Sequence, residues 1–238
     1  MLLKEIRQAC RLLGKNPVFT AIASVSLALG IGANSAIFSL TDAILLRPLQ
    51  VSEPSRVLAL TTETPSAPMD GVSYPDYRDI REQSHTLAGL AAFQLTTVGL
   101  STAPNSLPQM RMGMIVSDNF FSLLGIQPAL GRAFLPTEGQ VTGRDAIVWL
   151  SHDFWATSFN RDPSVIGRRV RLNGVDFTIV GVMPPSFTGV VQMIRPAFYT
   201  PLTMAPRLAA ANRVKMLEER DNRFFGAEAR LKPGVSQK

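Results

Sequence analysis

The feature that most constrains this chain is a run without charge. From Asn16 to Thr41 there are 26 residues with no Asp, Glu, Lys or Arg, bounded by Lys15 and Asp42. As an α-helix such a run reaches about 39 Å, more than the ~30 Å hydrocarbon core of a bilayer. It is therefore long enough to span a membrane with some tilt. It also exceeds the ~7–15 apolar residues of a secretory signal core. Small residues between Ala33 and Ala36 leave cleavage there as the lesser alternative. No second apolar run of ~18 residues follows, so everything past the span stays on one side. The boundaries read 1–16 for a leading helix, 17–46 for the transmembrane helix and 47–238 for a folded domain.

The flanks set the expected orientation. Lys4, Arg7, Arg11 and Lys15 precede the span, with Glu5 the only acid among them. The positive-inside rule places this end in the cytoplasm and the large domain on the far side. Leu2, Leu3, Ile6, Ala9, Cys10 and Leu13 recur at helical spacing, with the basic residues on the other side. Such a helix lies on membrane lipid at the cytoplasmic interface; the alternative is a simple basic flank. Asn16-Pro17 breaks it, and Pro17 suits the first turn of the spanning helix.

Within the span, Thr20, Ser24, Ala28, Gly32 and Ala36 fall every fourth residue. A row of small residues lets helix backbones approach closely in lipid. Further helices, from a partner or from a missing remainder, are expected against it; the alternative is a lone anchor. Gly30-Ile31-Gly32 lacks the third glycine of a dinucleotide loop and lies inside the apolar run.

Composition removes several function classes. The net charge is +6, yet no basic run exceeds a pair such as Arg168-Arg169, which gives no stripe for nucleic acid. The single Cys10 allows no intramolecular disulfide, and the two histidines belong to no cluster of metal-ligand spacing. There is neither a phosphate-binding G-x-x-x-x-G-K-[ST] loop nor a G-x-S-x-G elbow. Asp76 and Asp79 are interleaved with Arg78 and Arg81, which reads as a solvated charged helix face. His152 reads as a first-turn helix residue. No catalytic, cofactor or metal residues are therefore expected, and the chain does not read as an enzyme.

The domain mixes strands and short helices without a regular β-α-β period, so the fold class is α+β, with one N-terminal transmembrane helix ahead of it. Strands are expected at 56–60, 91–100, 109–116, 145–150 and 224–231. Residues 61–72 read as a loop. Ser73 is expected to cap a helix over 74–83, Ser117-Asp118 a short helix stopped by Gly125, and Ser151 a helix bearing Phe154, Trp155 and Phe159 as core. Asn173-Gly174, between two alternating apolar runs, predicts a two-residue hairpin turn.

The ordered set of motifs resembles a known family. Leu27–Ala36 and Leu45-Leu46-Arg47-Pro48 are similar to the first membrane helix of MacB/FtsX-type ABC transporter permeases, especially the duplicated orphan permeases of Acidobacteria. Ser73-Tyr74-Pro75-Asp76-Tyr77, Asn119-Phe120-Phe121, Gly131-Arg132, Leu172-Asn173-Gly174, Val180–Pro184 and Arg230–Gly234 resemble successive parts of the MacB-like periplasmic core domain. The resemblance implies a permease component of the bacterial inner membrane, N-terminus cytoplasmic and bulk periplasmic. It implies as partners a cytoplasmic ABC ATPase subunit and further permease helices or a second permease chain. Family permeases carry three more membrane helices, so the resemblance also implies an N-terminal part with a C-terminally incomplete core domain. The alternatives are a membrane-anchored periplasmic binding or scaffold module, or a truncated remnant.

Overall fold

The computed structural model describes residues 15–41, 51, 53–64, 67–104, 106–135, 137–191, 194–209 and 215–235. The chain forms two compact units, divided between Pro48 and Leu49. The first contains a single described helix, α1 (Pro17–Thr41). Its 25 residues reach about 37 Å, and Pro17–Ser39 is long and apolar enough to cross a membrane. None of that window is buried within the chain. The expected leading helix, with Lys4, Arg7 and Arg11, lies outside the described residues, as do residues 42–46 of the expected span.

The second unit is built from β1 (Val57–Leu60), β2 (Thr62–Thr64), β3 (Ala67–Asp70), α2 (Tyr74–Gln83), β4 (Leu87–Ser101) and β5 (Gln109–Val116). There follow α3 (Phe120–Leu124), β6 (Leu130–Gly131), β7 (Ile147–Leu150), α4 (His152–Ser158), β8 (Arg169–Leu172) and β9 (Val175–Val182). The last elements are β10 (Phe198–Pro201), α5 (Ala205–Leu208) and β11 (Gly226–Leu231). The architecture is mixed α and β.

Nine strands join one sheet in the order β1-β11-β4-β5-β10-β7-β9-β6, and β8 bonds both β4 and β9. The pairings β4-β5-β10-β7-β9-β8 therefore close into a six-stranded ring. Its long member, β4, pairs β11 through its first half and β5 through its second. Side chains alternate with the period of two that a strand imposes. Leu90, Ala92, Val98 and Leu100 join one core with Ile115, Val148, Leu150, Leu172, Phe177, Ile179 and Phe198. Ala91, Met114, Val116, Trp149 and Tyr199 face the other way, onto α3 and Phe187. There Phe121 stacks on Trp149 at 4.3 Å between centroids, with Phe120, Phe134 and Tyr199 edge-on to Phe121.

Local signals place most elements where the sequence does. Ser73 Oγ accepts from Asp76 N–H at 3.1 Å, and Ser151 Oγ from Phe154 N–H at 3.2 Å, so both helices start on a satisfied donor. Gly125 ends α3 in the left-handed region, at φ 73°. Phe154 and Phe159 are buried in the core. Asn173 and Gly174 turn β8 into β9 with φ of 47° and 85°.

Three expectations need correction. The residue that starts α3 is Asn119, with no side-chain cap bond, and not Ser117-Asp118. Residues 61–72 are not all loop, since β2 and β3 form a separate antiparallel pair there. The strand β10 was not anticipated, although it lies between β5 and β7. Four residues ending in Pro201 carry too little pattern to be read; parallel pairing with β5 and burial on both faces define the strand.

Candidate functional site

The helix α2, opened by the Ser73–Tyr77 motif, is held by charges from distant segments. Arg220 Nη1 donates to Asp76 Oδ1 at 2.5 Å and Nη2 to Asp79 Oδ2 at 2.6 Å. The two carboxylates are thus bridged by one guanidinium and are not merely a solvated face. Asp76 is held below the usual carboxylate range by hydrogen bonding to Ser73, reinforced by Arg220. On the other side Arg81 forks onto Asp118 at 2.6 and 3.2 Å and also donates to the Tyr77 hydroxyl at 2.9 Å.

This second pairing borders a cleft of about 410 Å³. Its walls come from α2 (Tyr74, Arg78, Arg81), from Ser117-Asp118 and from the turn carrying Thr203. The charges in the lining cancel: Arg78 and Arg81 stand against Glu82 and Asp118. Burial pushes the ionisation of Tyr74 and Tyr77 up, so both phenols remain neutral. Thr203 is 1% exposed, and its Oγ1 has no hydrogen-bond partner among the described residues. The arrangement suits a polar group that both donates and accepts hydrogen bonds. The Ser117 hydroxyl donates to Asn119 Oδ1, so it is held by an amide and not activated by a base.

A lone acid lies on β11. Glu228 is 7% exposed, between Ala59 of β1 and Ala91 of β4, with no hydrogen-bond partner among the described residues. Burial pushes its carboxyl up to about 7. Two positions on, Arg230 Nε donates to the Leu123 carbonyl at 2.7 Å.

The residues singled out from the sequence fall in separate places. Thr20, Ser24, Ala28, Gly32 and Ala36 all lie on α1. Thr20 Oγ1 donates back to the Asn16 carbonyl at 3.0 Å, so its hydroxyl is satisfied by its own helix. A Cβ built on Gly32 meets nothing within 4 Å, so no contact among the described residues demands glycine there. Lys15 is exposed just ahead of α1. Asn173 does more than turn the chain: its Oδ1 accepts from Gly99 N–H at 2.8 Å and its Nδ2 donates to the Leu208 carbonyl at 2.9 Å. The sequence marks Asp118 only as a cap beside Ser117 and leaves Arg220 and Thr203 unmarked, because only folding brings these residues to α2. Among the described residues no three His, Cys, Asp or Glu side chains gather where they could hold a metal.

The fold has solved relatives. A domain described as belonging to a permease from Porphyromonas gingivalis superposes with a TM-score of 0.56 at 19% identity, over 76% of this chain and 77% of that one. The periplasmic region of MacB from Actinobacillus actinomycetemcomitans gives 0.56 at 14% identity, over 77% and 78%. The extracellular domain of the noncanonic ABC-type transporter YknZ, from Gram-positive bacteria, gives 0.51 at 9% identity, over 75% and 83%. No curated protein matches the chain by sequence.

The fold is thus that of the extracytoplasmic domains of ABC-type permeases, here on a chain with an apolar N-terminal helix. The model of the MacB-like periplasmic core domain matches residues 20–238, and the chain belongs to that family. It is a transporter permease component, membrane-anchored and with a periplasmic domain.

Proposed function

We propose that the chain acts as the permease-subunit component of an ABC-type export or mechanotransmission system. A cytoplasmic ATPase partner hydrolyses ATP, and the motion passes through α1 to the periplasmic domain, which handles a substrate or partner outside the membrane. In this reading Lys4, Arg7, Arg11 and Lys15 hold the N-terminus in the cytoplasm. The row Thr20, Ser24, Ala28, Gly32 and Ala36 receives further permease helices or a second permease chain. An i, i+4 row is the ridge that packs helices at a right-handed crossing, the geometry of small-residue contacts in lipid.

The observation that carries this reading is the extent of the family match. It starts at Thr20, inside α1, and runs to Lys238, so it takes in most of the apolar helix as well as the domain. The test is co-purification. The chain, tagged at Lys238, is extracted from native membranes in mild detergent and its companions are identified. A cytoplasmic ATPase or a second permease chain is the expected result. A folded chain that purifies alone would turn the assignment toward an anchored periplasmic binding module. A reporter fused after residue 60 tests the orientation: it is active only outside the cytoplasm, and activity inside would overturn it.

A further inference from the structure

The periplasmic domain carries a second hollow, of about 200 Å³, beside α4 and the ends of β5 and β10. Its floor is apolar, formed by Phe154, Phe187 and the ring of Tyr199. Its rim is cationic: Arg111 and Arg195 face one carboxylate, Asp153. Arg195 Nη1 meets Asp153 Oδ2 at 3.2 Å, with both side chains about two-thirds exposed or more (71% and 67%). An exposed pair of that kind contributes little and yields easily to a competing anion. The Arg111 guanidinium lies 5.7 Å from the centroid of the Phe154 ring, and its Nη2 donates to Gln109 Oε1 at 2.6 Å. A guanidinium has five N–H donors in a planar fork, so most of this one remains for a ligand.

Tyr199 adds an independent sign. The residue is 1% exposed, and its hydroxyl has no hydrogen-bond partner among the described residues, although it lines the hollow. Burial also pushes its ionisation above the usual phenol range, which keeps it a neutral donor. A single cation in excess, an apolar floor and an unused neutral donor describe one ligand chemistry. The hollow exceeds the ~150 Å³ apolar cavity known to take benzene, so it admits a group the size of one apolar side chain.

We propose that this hollow binds an apolar monocarboxylate. The carboxylate sits on Arg111, with Arg195 released from Asp153 to join it. The apolar body lies on Phe154 and Phe187, and the Tyr199 hydroxyl donates to the ligand's remaining acceptor. Two sources share this chemistry: the C-terminal residue of a peptide and a short fatty acid. The site belongs to the periplasmic domain itself and stands whether or not an ATPase drives α1.

The test uses the full chain in lipid nanodiscs, titrated calorimetrically with empty discs subtracted. N-acetyl-L-phenylalanine probes the peptide source and octanoate the fatty-acid source. N-acetyl-L-phenylalanine amide lacks the charge and acetate lacks the body. One or both of the apolar acids are expected to bind at least about ten-fold more tightly than the amide and acetate, the worth of a charge-assisted hydrogen bond. The tighter-binding acid identifies the source. Arg111→Gln is expected to weaken binding by at least about ten-fold. Tyr199→Phe keeps the ring and removes only the hydroxyl, giving a smaller loss in a chain of unchanged circular dichroism. Failure of both acids to bind would overturn the proposal. So would an amide as good as the acid, or an Arg111→Gln chain that binds like the parent.

Discussion

Arg81 and Asp118, 37 positions apart, meet in a forked pair with N–O distances of 2.6 and 3.2 Å. The pair ties α2 to the turn after β5, with Asp118 the more buried partner at 19% side-chain exposure and Arg81 at 35%. Forked geometry and partial burial raise such a pair above an ordinary surface contact. Arg81→Ala and Asp118→Asn are each expected to cost about 1–2 kcal/mol, with a coupling energy of about 1 kcal/mol in the double-mutant cycle. Denaturant unfolding of the solubilised chain measures it. Additive single effects would mean that the fork contributes nothing of its own.

Glu228 makes stability depend on pH in an unusual direction. Its folded pKa, about 7, lies above the ordinary 4.5 because burial disfavours the charged form. A carboxyl raised in this way binds its proton more tightly in the folded state. Its contribution is complete below about 4.5, declines as pH rises through the window to about 7, and is absent above it. The full swing is on the order of 3 kcal/mol. Glu228→Gln removes the ionisable group, so the variant gains on the parent as pH rises from 5 to 8. Thermal unfolding at several pH values reads this out, and parallel curves for the two chains would refute it.

On α1, Gly32 is the narrowest position of the i, i+4 row, and nothing among the described residues packs against it. If the row receives another helix, Gly32→Leu forces the backbones apart. The substituted chain is expected to remain in the membrane, because the span grows more apolar, but to lose its co-purifying membrane partners. Leu29→Ala, outside the row, serves as the control and keeps them. Equal recovery of partners with both variants would show that the row does not pack.

What the sequence disclosed follows a physical divide. The caps at Ser73 and Ser151, the stop at Gly125 and the limits of β5 are decided within a few residues, and patterns of that length are readable. The ring closure is not. It rests on β8 reaching Leu100 and Ser101, and on β10, whose four residues carry no period of their own. The start of β4, Leu87–Leu90, was missed for a related reason: it is a strand because β11 returns to pair with it from more than 130 positions away. The α2 cleft was half legible. Its motif stood out as Ser73–Tyr77, but Asp118 reads as a helix cap until the fold brings it to Arg81, and Arg220 as any other surface charge until it reaches Asp76 and Asp79 on the same helix.

Asn173 shows the same divide within one residue. Its place before Gly174 is explained by the turn, since both residues stand at positive φ and asparagine tolerates that region better than most. Glycine would satisfy the backbone as well or better, so on turn chemistry alone Asn173→Gly is nearly neutral. The side chain reaches further, accepting from Gly99 at the β4 end of the ring and donating to the Leu208 carbonyl at the end of α5. Three segments therefore meet on one amide. Asn173→Gly is expected to cost about 1–3 kcal/mol, because two backbone groups lose partners while the turn survives. Asn173→Asp retains the acceptor for Gly99 but loses the donor to Leu208, and should fall between the two chains. Denaturant midpoints of the three proteins provide the order. If the glycine variant unfolds with the parent, the amide is a turn residue only, and the tie between β4 and α5 must come from the surrounding core.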